Sequence, residues 1–251
     1  MISGNCPFCE TAIEADDLDA FGRAGLVHVR SEHDDMPYPD MAVRNYFEGM
    51  VRCAGPTERL ESIGEVEVHP VTEDRIDDWL AFFDNDALAD IPQYTSCYCF
   101  EPHEVDLKAG TMPEPTHWTE RRQAMIDRLR DGTTFGYLAY VDDRPAGWVN
   151  ASRRCDYTLF ARGDEADHDT VGVACFTIAP SYRGHGLAKA LLDQVVADAP
   201  DRQAATVEAY PFNPDVGETD FRGPRPMFEA AGFSEVKIRS RDAVMRRPIG
   251  E

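Results

Sequence analysis

The chain has 251 residues, 43% of them apolar, and a formal charge of -21 from 46 acidic against 25 basic side chains. That length fits one domain of ordinary size plus a small accessory module with a real core, and the excess of acid repels phosphate backbones, which argues against direct nucleic-acid binding. No apolar run reaches the ~18 residues of a membrane span, and Met1 to Cys6 is neither basic nor a signal-like apolar segment, so no membrane association and a cytoplasmic location are expected. Lysine occurs only at Lys108, Lys189 and Lys237, and acid spread along the whole length fits a halophilic cytoplasm.

The first element of note is Cys6-Pro-Phe-Cys9, followed by His28 and His33 on a helix-like stretch. Seven cysteines without a secretion signal point to metal or thiol chemistry rather than a disulfide framework. Two thiolates on a knuckle and two imidazoles suit tetrahedral zinc, with Cys6, Cys9, His28 and His33 as the expected ligands. Residues five apart on a regular helix do not face one way, so a distortion near His33 is required, and Cys53 is an alternative ligand. So short a segment lacks core enough to fold alone, and structural Zn2+ would supply the missing free energy. The module is acidic, from Glu10 to Asp35, which favours a protein partner over DNA. Residues 1–55 are read as a zinc-finger-like module, 56–64 as a linker and 65–251 as the main domain.

In the main domain, Glu65 to His69 alternates as a strand. Thr72 precedes a helix bearing Ile76, Trp79, Leu80 and Phe83 on one face. Residues 85 to 115 hold several prolines and a short strand within Cys97-Tyr-Cys-Phe-Glu-Pro-His103. A helix spans about Thr116 to Arg130, then a hairpin pairs Phe135–Val141 with Ala146–Ala151 around Asp142 to Pro145. Val171 to Ile178 is a strand, Gly186 to Asp198 a helix, Ala204 to Tyr210 a strand, and Pro226 to Ala231 a short helix closed by Gly232. Val236 to Arg246 reads as a terminal hairpin. Strands outnumber helices and mix hairpins with crossovers, which makes an α/β or α+β sheet of mixed direction flanked by helices.

The segment Ile178-Ala-Pro-Ser-Tyr-Arg183-Gly-His-Gly186-Leu-Ala188 joins a strand directly to a helix. Its glycines allow backbone N–H groups to approach an anion, aided by the helix dipole and by Arg183. Here the chain resembles the GNAT superfamily of acyltransferases, whose central motif is Arg/Gln-x-x-Gly-x-Gly/Ala. Met227-Phe-Glu-Ala-Ala-Gly-Phe233 is similar to the family's next motif, and the likeness covers about Glu65 to Arg247.

The resemblance implies a mostly antiparallel sheet with a splayed parallel pair, Val171–Ile178 and Ala204–Tyr210, holding acetyl-CoA as co-substrate. It implies pyrophosphate binding by Arg183, Gly184, His185, Gly186, Leu187 and Ala188, and pantetheine and oxyanion contacts from the backbone of Phe176, Thr177 and Ile178. The implied reaction is N-acetylation of a small-molecule amine or a protein amino group. Glu208, an ionisable residue on a buried strand, is a candidate base or else a structural carboxylate paired with an arginine. Phe228 stands where the family often has a tyrosine proton donor, so Tyr210, water or direct thiolate departure must serve. Acceptor contacts are sought among Cys97, Cys99, His103, Asn150, Arg153 and Arg222. The alternative is an acyl-CoA-binding protein, weak or inactive in catalysis, whose finger docks a protein; a homodimer is left open.

Overall fold

The structure, a computed structural model, describes residues 1–104, 113–160, 168–213 and 220–250. At the N-terminus β1 (Ile2–Asn5) and β2 (Ala12–Ala15) form an antiparallel hairpin connected through the Cys6–Cys9 knuckle. Helix α1 (Leu18–Glu32) starts at Asp17, whose carboxylate accepts the Ala20 N–H at 2.7 Å, and α2 (Asp40–Arg52) follows Pro39. The two helices pack closely because Gly22 and Gly25 carry no side chain: an added Cβ would lie 2.2 Å from Glu48 Oε1 and 2.3 Å from the Phe47 ring, respectively. Phe21, Val29, Val43 and Phe47 close a small core there.

The main domain continues with β3 (Val66–Pro70), α3 (Ile76–Ala81), α4 (Glu101–Glu104) and α5 (Trp118–Asp131), the last ended by Gly132 at φ 77°. Strands β4 (Phe135–Val141) and β5 (Arg144–Arg153) turn on Asp142 and Asp143, at φ 48° and 65°, so the hairpin loop is shorter than the sequence suggests. Then come β6 (Thr170–Ile178), α6 (Leu187–Asp198), β7 (Thr206–Ala209), α7 (Arg225–Ala230), β8 (Ser234–Ile238) and β9 (Ala243–Pro248). The seven-stranded sheet runs β3-β4-β5-β6-β7-β9-β8, antiparallel except for the β6–β7 pair. This is the mixed, mostly antiparallel sheet expected, with a parallel pair in its interior.

Inward residues of β4 to β7 meet Leu187, Leu191, Leu192 and Val195 of α6 on one face. Trp79, Phe82 and Phe83 after β3, with Met125 and Ile126 of α5, cover the other face. The strand expected at Cys97–His103 is replaced by a turn, in which Tyr98 and Cys99 adopt φ 48° and 56°, leading into α4. Cys97 and Cys99 therefore do not share a strand face. Thr72 precedes a single 3-10 turn, and its hydroxyl donates to Asp74 at 2.5 Å rather than to the backbone.

The segment expected as a linker is held down. Leu60 N–H donates to Ser181 O (2.9 Å), Ser181 Oγ to Pro56 O (2.6 Å), and Gly55 N–H to Asn85 O (3.1 Å). Helix α2 is fastened to the main domain as well. Glu48, 1% exposed, accepts from Trp118 Nε1 at 2.6 Å and lies 2.9 Å from His117 Nε2; Asn45 donates to Thr116 O at 2.8 Å. Arg52 donates to Tyr98 Oη (2.6 Å) and Thr95 O (2.9 Å) while its guanidinium lies 4.4 Å from the Trp118 ring centre. No helix among the described residues is long and apolar enough to cross a membrane.

Candidate active site and metal centre

The parallel pair β6–β7 stays in register from Thr170–Thr206 to Val173–Ala209, after which β6 continues without this partner. A bulge sets the parting: Asn150 of β5 faces Cys175 but Ala151 faces Val173, so β6 carries one extra residue, Ala174, and bends. Beyond this fork the β6 backbone is already engaged. Phe176 N–H donates to Phe221 O at 2.5 Å, and Ile178 O accepts from Arg183 Nε at 3.1 Å. Cys99 Sγ lies 3.7 Å from Thr177 Oγ1.

The loop at the head of α6 has the shape the sequence predicts. Gly184 and Gly186 sit at φ 85° and 84°, a region that disfavours side chains, and a Cβ at Gly186 would meet nothing within 4 Å. The space beside Gly186 is therefore open at the head of α6, the positive end of its helix dipole. Arg183 does not add its charge to this cradle as expected: its guanidinium forms a two-point pair with Asp90 at 2.5 and 3.0 Å. A different cation is nearby. An Arg59 nitrogen lies 3.8 Å from where a Gly184 Cβ would be, and His185 Nε2 donates to Leu60 O at 2.9 Å, tying the 56–60 segment along the loop. Nothing in local sequence marks Arg59, since it reaches the loop from another part of the chain.

Glu208 is fully buried in β7 and flanked by guanidiniums, Arg246 Nε at 2.5 Å from Oε2 and Arg154 Nε at 3.2 Å from Oε1. Of the two roles open to it, the geometry supports the ion-paired structural carboxylate, because Arg246 donates to Oε2 and Arg154 faces Oε1 as an ion pair without a hydrogen bond. Tyr210 stacks on Phe160 (3.8 Å, 5°), and its hydroxyl lies 3.2 Å from a Cβ built on Gly172. Gly172 pairs with Glu208, on the closed side of the fork. Burial and the neighbouring Glu208 push the Tyr210 phenol well above its usual range, so it stays protonated but points away from the open part of β6.

A cavity of ≈ 90 Å³ lies against Ala174, Cys175 and Thr177 of β6, walled further by Cys97, Cys99 and Phe221. Arg222 and Glu101 also line it, so three of the expected acceptor contacts, Cys97, Cys99 and Arg222, do gather there. The others do not. His103 is a buried bracket, its Nδ1 donating to Asp156 O at 3.1 Å and its Nε2 accepting from Thr134 Oγ1 (3.2 Å) and Asn150 Nδ2 (3.3 Å). Asn150 also donates to Cys99 O at 3.0 Å, and Arg153 donates to the carbonyl oxygens of His168 and Arg202. Glu101, which the sequence did not single out, belongs to the cavity.

At the N-terminal knuckle and α1, Cys6, Cys9, His28 and His33 converge, one ligand atom from each within 4.8 Å of all the others. Cys9 Sγ is 3.2 Å from His28 Nε2 and Cys6 Sγ is 3.6 Å from His33 Nε2. Those spacings match the edges of a tetrahedron with metal–ligand bonds of about 2.0–2.3 Å. His33 is the C-cap of α1, at φ -140° and ψ 51°, which supplies the distortion the spacing requires. Cys53 is buried elsewhere, its thiol donating to Phe83 O at 3.4 Å, and burial pushes it up to about 11.

Residues 100–222 match the model of the acetyltransferase (GNAT) family. No curated protein matches the chain. Among solved structures, the chain is similar to the GNAT domain of a Streptomyces lividans protein (S. lividans PAT), at 17% identity and TM-score 0.48 over 74% of this chain and 92% of that one. An acetyltransferase of Salmonella typhimurium with its cofactor acetyl-CoA aligns at 12% identity and TM-score 0.47, over 74% and 95%. The ribosomal-protein-S18-alanine N-acetyltransferase of Escherichia coli aligns at 12% identity and TM-score 0.43, over 74% and 96%. The fold is the GNAT fold, with its seven-stranded sheet and parallel pair.

Proposed function

We propose that this chain is an N-acetyltransferase that carries an acetyl group from acetyl-CoA to an amine. The observation that carries the reading is the fork between β6 and β7 beside an open, glycine-lined helix start: one opening admits an extended thioester arm and the other takes its phosphates. In this reading the amides from Arg183 to Ala188 hold the pyrophosphate at the positive end of α6. The backbone of Phe176, Thr177 and Ile178 pairs with the pantetheine arm once the Phe221 carbonyl yields its place. A β6 N–H polarises the thioester carbonyl, the neutral amine attacks, and the tetrahedral intermediate collapses to amide and CoA thiolate. With Glu208 ion-paired and Phe228 unable to donate, water carries the protons.

The N-terminal segment we assign as a structural zinc module of residues 1–55, with Cys6, Cys9, His28 and His33 as ligands. A bound zinc would fix the knuckle to α1 and so hold α2 against the domain. The excess of acid supports a cytoplasm of high salt as the setting.

A second reading, a CoA-binding protein without turnover, draws on the lack of a free carboxylate among Glu208 and its neighbours. Calorimetric titration with acetyl-CoA at high potassium tests both. We expect binding, lost in Gly186→Glu, while Gly186→Asn, which tolerates the left-handed backbone, retains most of it. No binding by the folded wild type would refute the transferase; binding without turnover across an amine panel would favour the second reading.

A further inference from the structure

We infer that Arg52, the last residue of α2, is a positioning residue for the site in the main domain: it holds the turn at Tyr98 and Cys99 in the backbone conformation that lays Cys99 against β6. The inference rests on the acetyltransferase reading above only in taking the cavity beside β6 as part of that site.

The turn is one that its own residues resist. Tyr98 and Cys99 are successive non-glycine residues at φ 48° and 56°, a left-handed backbone that side chains disfavour and that persists only where the surroundings hold it. Its product is a wall. Cys97 and Cys99 line the ≈ 90 Å³ cavity together with Ala174, Cys175 and Thr177 of β6. Cys99 Sγ lies 3.7 Å from Thr177 Oγ1, in the stretch of β6 past the fork. A turn relaxed to right-handed or extended backbone would carry Cys99 away from β6 and change the shape of the cavity.

The turn is held from two sides. From the main domain, Asn150 donates to Cys99 O at 3.0 Å, and Trp79 and Phe83 pack on the Tyr98 ring with centres 6.0 and 5.8 Å away. From α2, Arg52 Nη1 donates to Tyr98 Oη at 2.6 Å and Nη2 to Thr95 O at 2.9 Å, so one guanidinium ties both ends of the 95–98 stretch. The Tyr98 hydroxyl donates in turn to Asp84 at 2.5 Å, a carboxylate that Arg52 and Arg122 also meet, at 3.4 and 3.0 Å. The Arg52 side chain is only 9% exposed and its guanidinium lies 4.4 Å from the Trp118 ring centre, so its planar fork of donors is aimed. Helix packing sets its height: Gly49, three residues earlier, faces Thr95, and a Cβ there would run into Thr95 Oγ1.

The competing reading makes α2 a tether alone, with Asn150 and the aromatic packing sufficient for the turn. Packing on a ring fixes where Tyr98 lies but not the backbone that leads to it. Bonds to Oη and to the Thr95 carbonyl fix the ring tip and the preceding backbone together, which favours Arg52.

The test reads the turn directly. The full chain is alkylated with iodoacetamide below its melting range, and the rate at each cysteine is followed by peptide mass spectrometry in wild type, Arg52→Met, Arg52→Lys and Tyr98→Phe. Leu191→Ala, in the core under α6, controls for general loss of stability. Cys99, 2% exposed, should be labelled roughly tenfold faster or more in Arg52→Met than in wild type, comparably fast in Tyr98→Phe, more slowly than either in Arg52→Lys, and near the wild-type rate in Leu191→Ala. The double variant of Arg52→Met and Tyr98→Phe should label no faster than Arg52→Met. A Cys99 rate unchanged in Arg52→Met, or raised equally in Leu191→Ala, overturns the inference. If Arg52→Met does not fold, Tyr98→Phe, which keeps the ring, carries the same comparison. For any amine of the panel that is acetylated, KM for the amine rises in Arg52→Met and recovers in part in Arg52→Lys; a fall in kcat with KM unmoved makes Arg52 a structural brace only. Acetyl-CoA calorimetry on the same samples separates the two claims: labelling as expected with no acetyl-CoA binding by wild type refutes the transferase reading and leaves Arg52 its hold on the turn.

Discussion

The carboxylate of Glu208 is held between Arg154 and Arg246, 0% exposed. Removing one partner of a buried pair leaves the other charge uncompensated, at a cost of roughly 3–5 kcal/mol. Glu208→Gln should therefore lower the thermal midpoint strongly while leaving the shape of the pH–rate profile intact; an unchanged midpoint with turnover lost would restore Glu208 as the base. His103 gives a second measurable effect. Burial holds it at about 4, against 6.5 for the free side chain. The unfolded chain takes up a proton below about 6.5 and the folded one resists until about 4, so stability is intact above that window and lost as pH falls through it, by roughly 3 kcal/mol in all. Urea midpoints measured from pH 7.5 to 4.5 should fall in wild type and flatten in His103→Gln. Pairing with an arginine was one of the two readings the sequence left open for Glu208, but that the partners are Arg154 and Arg246, and that Thr134 and Asn150 meet His103, is set only by folding.

Elements with several turns or a long alternating run, such as α5, α6, β4 and β6, could be read from periodicity, and the Gly184 and Gly186 loop from its position between a strand and a helix. The hairpin β1–β2 could not, since strands of four residues offer too few positions to display a period. The turn at Tyr98 and Cys99 was hidden because its left-handed backbone is imposed by tertiary packing on residues with no local preference for it. The Cys6, Cys9, His28 and His33 cluster was legible from spacing alone, but the role of α2 was not. Through Asn45, Glu48 and Arg52, α2 grips the start of α5 and the 95–98 turn. Chelating the metal, or replacing Cys9 by Ser, should accordingly lower the melting midpoint of the whole chain rather than release a separately melting module. Elemental analysis should find one zinc per chain in the wild type, and a metal-free chain of unchanged midpoint would exclude the structural role.

At the scale of the molecule, a net charge of -21 makes self-repulsion a standing term against the compact state. Raising potassium chloride from 0.1 to 1 M shortens the screening length from about 10 to about 3 Å, so the melting midpoint should climb across that range; a flat response would remove the case for a saline setting. One contact links the molecule's two openings. The Phe221 carbonyl caps Phe176 N–H in the fork, and Phe221 also walls the cavity beside β6. A thioester arm that claims Phe176 N–H displaces Phe221 and reshapes the neighbouring cavity, so occupancy of one opening alters affinity for the other, and by thermodynamic linkage the reverse holds equally. That coupling is read by titration: acetyl-CoA should change the affinity of the cavity for its occupant, and the occupant the affinity for acetyl-CoA, by one common factor, whereas unchanged affinities would mean that the fork and the cavity ignore one another.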